Sequence, residues 1–478
     1  MQKPTNTVQL HLETRPSLGI APGALVNRDS AKRNIWCPKP EIEFDSWCNP
    51  NNPKLITYKE ISKATNVLRE HFPVTPLLRS RCCVQFGLEV NYKLEIFHRT
   101  GSFNERGALY TLLMLKENQR KFGVITASTG SWAMALAYYG HKLDIPVTTV
   151  LPLNTLINVV EKCKGYGATV ILNGKTLAEA KNQAFIVRAE SGATYLNSYD
   201  HPYAIAAAGS IGVEIMEQLP QTDAILIPVG GGGLLAGIST AVKHIKPEVL
   251  IYGIEPEKCC GFYKAMKNEH PYHIIAGRSI AGSLAISTPG HNAFHTAKPS
   301  INKMVLVNDD WISRAVLHLT EEQRFVADGA GATSLSALFG LPNILPELRG
   351  KTVVCVISGG NIDTDTLPRC IERAKAVEGR IIKMTVTLPA DETTEQLKIF
   401  STIANLGCNV RQYYTEHAWL TENDFYTIYL TLTCETRDIK HACTLKRVME
   451  RLFPNMCHFL EEPFSPIPIC SCFAKKLP

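Results

Sequence analysis

Between residues 122 and 357 the chain alternates short β-branched runs with amphipathic stretches, and this alternation constrains the fold more than any other feature. Six runs are apolar enough to form buried strands: Phe122 to Ala127, Val147 to Leu151, Thr169 to Leu172, Ala224 to Val229, Leu250 to Ile254 and Thr352 to Ile357. Strands that alternate with helices are typical of a parallel sheet covered by helices on both faces. We therefore expect an α/β fold whose ligands bind beyond the carboxyl ends of the strands.

The segments on either side of this region have other patterns. Residues 1–55 carry scattered prolines and no sustained period, which predicts an extended or disordered lead-in. A main domain is expected over 56–372, opening with a helix that has Thr57 and Glu60 at capping-box spacing. Residues 379–465 predict a smaller α+β domain in the order strand, helix, strand, strand, helix, and 466–478 form a tail.

Length and charge limit the function classes. The 478 residues are enough for two or three domains with sizeable cores, and the net charge of +6 is spread without a lysine or arginine block. That distribution argues against nucleic acid or a membrane as partner. The 15 cysteines lack zinc-site spacing, and the apolar run from Leu18 to Val26 is short and interrupted by Pro22. We therefore expect reduced thiols and a cytoplasmic protein.

A turn of four glycines follows one of the predicted strands. Gly230, Gly231, Gly232 and Gly233 lie between the run that ends at Val229 and the apolar stretch that begins at Leu234. Glycines between a buried strand and a helix let backbone amides surround a phosphate. A flexible loop is the alternative, and the turn lacks the spacing of a dinucleotide site and the lysine of a P-loop.

Three further turns carry polar groups. The stretch from Thr100 to Ala108 reads Thr-Gly-Ser-Phe-Asn-Glu-Arg-Gly-Ala and opens a helix-like run, where an ordinary N-cap at Ser102 is an equally good explanation. A second turn, residues 128–132, reads Ser-Thr-Gly-Ser-Trp. A third, residues 358–361, reads Ser-Gly-Gly-Asn. Each lies next to a predicted strand, where ligands of such sheets bind.

Together these turns resemble the serine/threonine dehydratases, which are pyridoxal-phosphate enzymes of fold type II with a tryptophan-synthase-β-like architecture. Their cofactor segment reads Gly-Ser-Phe-Lys-x-Arg-Gly-Ala, and the resemblance covers roughly residues 56–465. It implies cofactor binding by the glycine turn with Leu234, by Ser358 at the pyridine nitrogen, and by Phe103 and Ser131. It implies substrate binding by Ser128, Thr129, Gly130 and Trp132.

The chain departs from the family pattern at the positions that carry chemistry. Asn104 stands where the family has the Schiff-base lysine. Ser131 replaces an asparagine, Trp132 replaces a histidine, and Gly282 replaces an aspartate. An inward indole at Trp132 would occupy space meant for the substrate or the cofactor ring, whereas an outward one would have no consequence. Gly261 replaces a carboxylate of the cation site found in some relatives, so we expect no metal.

Three functions remain open. The protein is expected to be a degenerate dehydratase homologue without ammonia-lyase activity that acts as a binding or regulatory paralogue. Alternatively, it is an L-serine/L-threonine dehydratase that releases ammonia and a 2-oxo acid, or it binds pyridoxal phosphate or a phosphorylated metabolite noncovalently. The partners would be a small amino acid or phosphorylated molecule, and another copy of the chain or an active paralogue. The C-terminal domain resembles a regulatory ACT-like domain, with dimerisation its expected role.

Overall fold

The computed structural model describes residues 45–81, 86–340, 344–390, 393–416 and 426–460. The helices are α1 (Tyr58–Arg69), α2 (Asn104–Leu113), α3 (Glu117–Phe122), α4 (Ser131–Lys142), α5 (Ile157–Gly165), α6 (Leu177–Ser191), α7 (Pro202–Gln218), α8 (Gly233–Ile245), α9 (Gly261–Asn268), α10 (His291–Ala297), α11 (Asp309–His318), α12 (Gly329–Ser336), α13 (Thr366–Val377), α14 (Thr393–Asn405) and α15 (Ile439–Leu452). The strands are β1 (Leu77–Arg79), β2 (Glu89–Leu94), β3 (Val124–Ala127), β4 (Val147–Leu151), β5 (Thr169–Leu172), β6 (Thr194–Tyr195), β7 (Ala224–Pro228), β8 (Leu250–Pro256), β9 (Lys303–Val307), β10 (Thr352–Ile357), β11 (Ile381–Pro389), β12 (Asn409–Glu416), β13 (Thr427–Glu435) and β14 (Cys457–Phe459).

The largest sheet has the strand order β1-β2-β10-β7-β8-β9, and its neighbours are parallel except for β1 and β2. Successive residues of its central strands enter two different cores. In β10, Val354 and Val356 pack into one core, whereas Val353 and Cys355 pack into the other. This is the helix-covered parallel sheet that the alternating pattern predicts.

A second parallel sheet has the order β5-β4-β3-β6. It begins later than predicted, because Phe122 ends α3 and Gly123 adopts a φ of 78° before the strand. A residue with a positive φ interrupts both helix and strand geometry, so β3 starts only at Val124. The two sheets bring the ends of β3, β7 and β10 to one site through the turns that follow them.

The C-terminal part forms an antiparallel sheet of order β12-β13-β11-β14 with its own core, which contains Met384, Leu432 and Met449. Its elements follow the predicted order, and β14 is an addition that the sequence did not indicate. Its identity as an ACT-like domain stays a prediction. The tail after residue 465 lies outside the described residues.

Part of the predicted N-terminal lead-in is described, and it contains no helix or strand. Residues 1–44 lie outside the described part, but residues 45–55 are fastened to the main domain. The amide of Asn292 donates to the carbonyl of Trp47 at 2.7 Å, and its carbonyl accepts from the backbone of Lys54 at 2.7 Å. Asn292 is 238 residues from Lys54 and 245 from Trp47 in the sequence, so the local pattern did not reveal this anchor. Within the described residues, no helix is long and apolar enough to cross a membrane.

Candidate active site

The glycine turn lies between β7 and the amino end of α8. A Cβ atom on Gly231 would overlap the ring of Tyr199, and one on Gly233 would overlap the carbonyl of Tyr199. Gly232 has a φ of 98°, which side chains rarely adopt. Only glycine therefore fits this turn, and the amides at the start of α8 form a site suited to an anion.

The Thr100 to Ala108 stretch is tied to the turn after β10. The amide of Phe103 donates to the carbonyl of Ser358 at 3.0 Å, and Ser102 forms a bridge with Gly359. The alternative of an N-cap at Ser102 is not what its hydroxyl forms, because Ser102 Oγ accepts from the side-chain amide of Asn104 at 3.4 Å. Pairing with Gly359 commits Ser102 to the neighbouring turn.

The turn after β3 is held by its own hydroxyl groups. Ser128 Oγ accepts from the amide of Gly130 at 3.2 Å, and the side-chain amide of Asn361 donates to Ser131 Oγ at 3.0 Å. Asn361 also donates to the carbonyl of Thr100 at 2.8 Å. One amide group thus joins the three polar turns that the sequence placed beside separate strands.

Trp132 points into the protein. Its side chain is buried, and the indole nitrogen donates to Thr126 Oγ1 at 3.1 Å. The ring lies against α2, since Cζ3 is 3.0 Å from the position that a Cβ of Gly107 would take. Gly107 is three residues after Asn104 and therefore on the same side of that helix. The indole fills the space beside the helix face that carries Asn104.

These residues enclose one cavity of about 110 Å³. Its lining includes the predicted residues Phe103, Asn104, Ser128, Thr129, Ser131, Trp132, Gly230, Gly231, Gly232, Gly233, Leu234 and Ser358. Gly130 does not line it and instead begins α4 as its N-cap. The prediction that Gly130 contacts the ligand is therefore unsupported by its position, because the amide is turned to Ser128.

Sequence reasoning missed Tyr199, which packs against the glycine turn and lines the cavity. It follows β6, a strand of only two residues, which is too short to give an alternating pattern. Asp328 also lines the cavity and accepts from the amides of Gly331 at 2.7 Å and Asn361 at 3.1 Å. Burial raises the pKa of Asp328 in spite of these two donors.

The described lining of the cavity contains no lysine, arginine or histidine. The lysine nearest in sequence to the altered segment, Lys93, belongs to a buried charge cluster instead. Its ammonium donates to Glu214 at 2.6 Å and to Gln218 at 2.8 Å. Arg106 of the cofactor-like segment binds the same Glu214 at 2.5 Å and also Glu95 at 2.7 Å. This cluster spans β2, α2 and α7. A third bond from the ammonium, to the carbonyl of Thr75 at 2.8 Å, leaves Lys93 no free donor position.

Glu255, the retained residue of the possible cation site, serves the backbone. Its two carboxyl oxygens accept from the amides of Phe262 and Tyr263, each at 2.9 Å. Burial raises its pKa to about 8, which weakens it further as a ligand for a hard cation.

Comparison with known proteins identifies the group to which the chain belongs. The family model described as "Pyridoxal-phosphate dependent enzyme" matches residues 68–359. The L-threonine ammonia-lyase of Thermotoga maritima is 34% identical over 397 residues, covering 83% of this chain and 97% of that protein. A catabolic L-threonine dehydratase of Staphylococcus aureus is 32% identical over 324 residues, covering 66% of this chain and 92% of that protein.

Two solved structures resemble the fold. Maize serine racemase has a TM-score of 0.63 at 26% identity and covers 67% of this chain and 98% of its own. Threonine deaminase of Solanum lycopersicum has a TM-score of 0.63 at 28% identity and covers 67% of this chain and 96% of its own. The two-sheet fold and the family match place the chain among the fold type II family of pyridoxal-phosphate-dependent enzymes. Within that class the chain belongs to the serine/threonine dehydratase family.

The residues of the site fit the family cofactor only in part. The glycine turn offers backbone amides suited to an anion, and Ser358 lines the same cavity. No lysine of the described chain lines the cavity to hold a covalent cofactor. Its volume of about 110 Å³ is also below the range of about 300–1,000 Å³ that is usual for ligand pockets. A covalently held cofactor does not fit these residues.

Proposed function

We propose that this protein is a dehydratase-family member that lacks Schiff-base ammonia-lyase activity and acts as a binding or regulatory paralogue. The observation that carries the proposal is Asn104, an amide at the family's lysine position, in a cavity whose described lining has no amine. An amide is not nucleophilic and does not titrate in a useful range. It can neither form the covalent link nor remove a proton from carbon.

The size of the expected defect follows from the missing base. Loss of a general base typically lowers a rate by about 10²–10⁴-fold. Loss of the covalent link between the protein and the cofactor should lower the rate further. Lys93 does not compensate, because its ammonium is bound to Glu214 and Gln218 and lies outside the cavity.

The other departures support the same proposal. Ser131 is held by Asn361, and Trp132 occupies the space beside the helix that carries Asn104. Changes at three positions that line one cavity fit the loss of one chemistry better than unrelated drift. The intact glycine turn supports retention of a phosphate-bearing ligand without a covalent link.

A second candidate is an L-threonine or L-serine ammonia-lyase. The names of the relatives favour it, since they are an L-threonine ammonia-lyase at 34% identity and an L-threonine dehydratase at 32% identity. The site speaks against it, because some other group would have to take over both roles of the lysine.

We extend the proposal to assembly. The C-terminal sheet would act as a dimerisation module, joining two copies of this chain or one copy to an active paralogue. The separate core around Met384 and Leu432 makes this sheet a folded unit of its own, and the role in assembly follows from its resemblance to an ACT-like domain. Cross-linking and light scattering of the purified protein, alone and with a lysine-bearing family member, test this extension.

The test of the main proposal is an absorbance spectrum of the purified protein with pyridoxal phosphate, before and after borohydride, together with an ammonia assay on L-serine and L-threonine. We expect neither a borohydride-trapped adduct nor ammonia. The Asn104→Lys variant tests whether the missing amine alone prevents a covalent link to the cofactor. Asn104→Gln, which keeps an amide, is the matched control. Ammonia release by the unaltered protein would overturn the proposal and establish the second candidate.

A further inference from the structure

A larger chamber of about 860 Å³ lies next to the cavity. Thr129, Ser283, Asp328 and Ala330 line both spaces, so the chamber and the cavity adjoin. The chamber is built from the segments around residues 152–156, 257–258, 278–283, 308–313 and 361–373. It is large enough to hold a part of a ligand that the cavity cannot accommodate.

Most charges that face the chamber are matched within the protein. Lys258 pairs with Asp309 at 2.7 Å, and Arg373 pairs with Asp310 at 2.6 Å. One carboxyl oxygen of Asp363 accepts from the amides of Asp365 and Thr366 at 2.9 and 2.8 Å, which ties it to the turn that caps the start of α13.

Two arginines that line the chamber have no such ion pair within the described chain. Arg278 and Arg369 line the chamber, are exposed, and form no ion pair with any residue of the described chain. Glu257 is the one lining carboxylate of the described residues outside these pairs and caps, apart from the buried Asp328. Glu257 directly precedes Lys258, and its charge acts on that lysine. The chamber therefore has two arginines whose donors face solvent.

We propose that this chamber binds the acidic group of an anionic amino acid whose remaining part lies toward the cavity. A guanidinium presents donors in a planar fork that matches a carboxylate or a phosphate, and Arg278 and Arg369 supply two such forks. The ligand class is an amino acid with an acidic side group, either a second carboxylate or a phosphate ester. This inference names the ligand of the site described under the proposed function and rests on that function for the site's binding role.

Calorimetric titration of the full chain tests this inference with four compounds. L-aspartate and O-phospho-L-serine carry the second anion, and L-asparagine and L-serine are their uncharged counterparts. We expect at least one anionic compound to bind about tenfold or more tightly than its counterpart. Comparison of the two anionic compounds decides between carboxylate and phosphate. Binding should weaken as salt rises, because both arginines are exposed.

Substitution connects the effect to the chamber. Arg278→Gln and Arg369→Gln should each weaken the anionic compound about tenfold and leave its neutral counterpart unchanged. Arg451→Gln, at an exposed arginine of α15 in the C-terminal sheet domain, is the matched control and should have no effect. Equal affinity for charged and neutral compounds, or no effect of either chamber variant, would refute the inference. Ammonia release would refute the proposed function and leave this binding preference standing.

Discussion

The ammonium of Lys93 lies 2.6 Å from a carboxyl oxygen of Glu214, with 0% and 4% of the two side chains exposed. Burial lowers the pKa of Lys93, against the attraction of Glu214. Arg106 completes the arrangement by binding Glu214 and Glu95. A lysine held in this way supports the fold, and it does not line the cavity.

Lys93→Met should destabilise the protein by about 3–5 kcal/mol, because it leaves part of the buried carboxylate charge uncompensated. Urea unfolding measures the change, and Lys63→Met at an exposed position of α1 is the control with an effect below about 0.5 kcal/mol. If the unaltered protein formed a borohydride-trapped adduct and Lys93→Met abolished it, our assignment of Lys93 to the fold would be wrong.

Gly233→Ala should cost about 1–3 kcal/mol, since the new methyl group would overlap the carbonyl of Tyr199. Gly282→Ala is the matched comparison, because no atom lies within 4 Å of its added Cβ. We expect Gly282→Ala to change stability by less than about 0.5 kcal/mol in the same thermal or urea experiment. Equal effects at both positions would contradict the close packing of the glycine turn.

Trp132→Ala should cost about 3–5 kcal/mol through the lost packing of a buried indole. It should also enlarge the cavity, so noncovalent binding of pyridoxal phosphate, followed by equilibrium dialysis, should increase. Trp132→Phe removes the hydrogen bond to Thr126 and part of the buried ring volume, so its loss of about 1–3 kcal/mol should be smaller than that of Trp132→Ala. If Trp132→Ala bound no more pyridoxal phosphate than the unaltered protein, the indole would not restrict the cavity.

We expect the stability of the protein to depend on pH through His201. Its ring is buried, its Nδ1 accepts from the amide of Tyr203 at 3.2 Å, and burial lowers its pKa to about 3 from the usual 6.5. Below pH 6.5 the unfolded chain binds a proton that the folded chain refuses. The contribution of His201 to the free energy of unfolding is thus complete above pH 6.5. It is lost as the pH falls toward 3, by up to about 1.4 kcal/mol per pH unit.

His201→Asn keeps a side-chain acceptor at the start of α7 and removes the titration. The free energy of unfolding of this variant, measured in urea between pH 7.5 and pH 4, should therefore fall less steeply than that of the unaltered protein. His71→Asn, at an exposed histidine, should follow the unaltered protein. Parallel curves for His201→Asn and the unaltered protein would mean that His201 is protonated when folded.

The sequence allowed the parallel sheets to be predicted because buried strands and amphipathic helices leave local patterns. The strand predicted over residues 224–229 is observed over Ala224–Pro228, one residue shorter. The strand predicted to begin at Phe122 begins two residues later, at Val124. That error came from Gly123, whose backbone geometry ends α3 before the strand begins. Neither the two-residue β6 nor Tyr199 after it has a periodic signal.

What the sequence by itself determined is the chemistry available: an amide at Asn104, a run of four glycines after a strand, and no local group that replaces the lysine. Only the tertiary structure decided where each group points. Trp132 turns inward because Thr126 offers its indole an acceptor, and Lys93 turns away because Glu214 and Gln218 bind it. Such partners are set by packing between distant elements, so adjacent residues carry no trace of them.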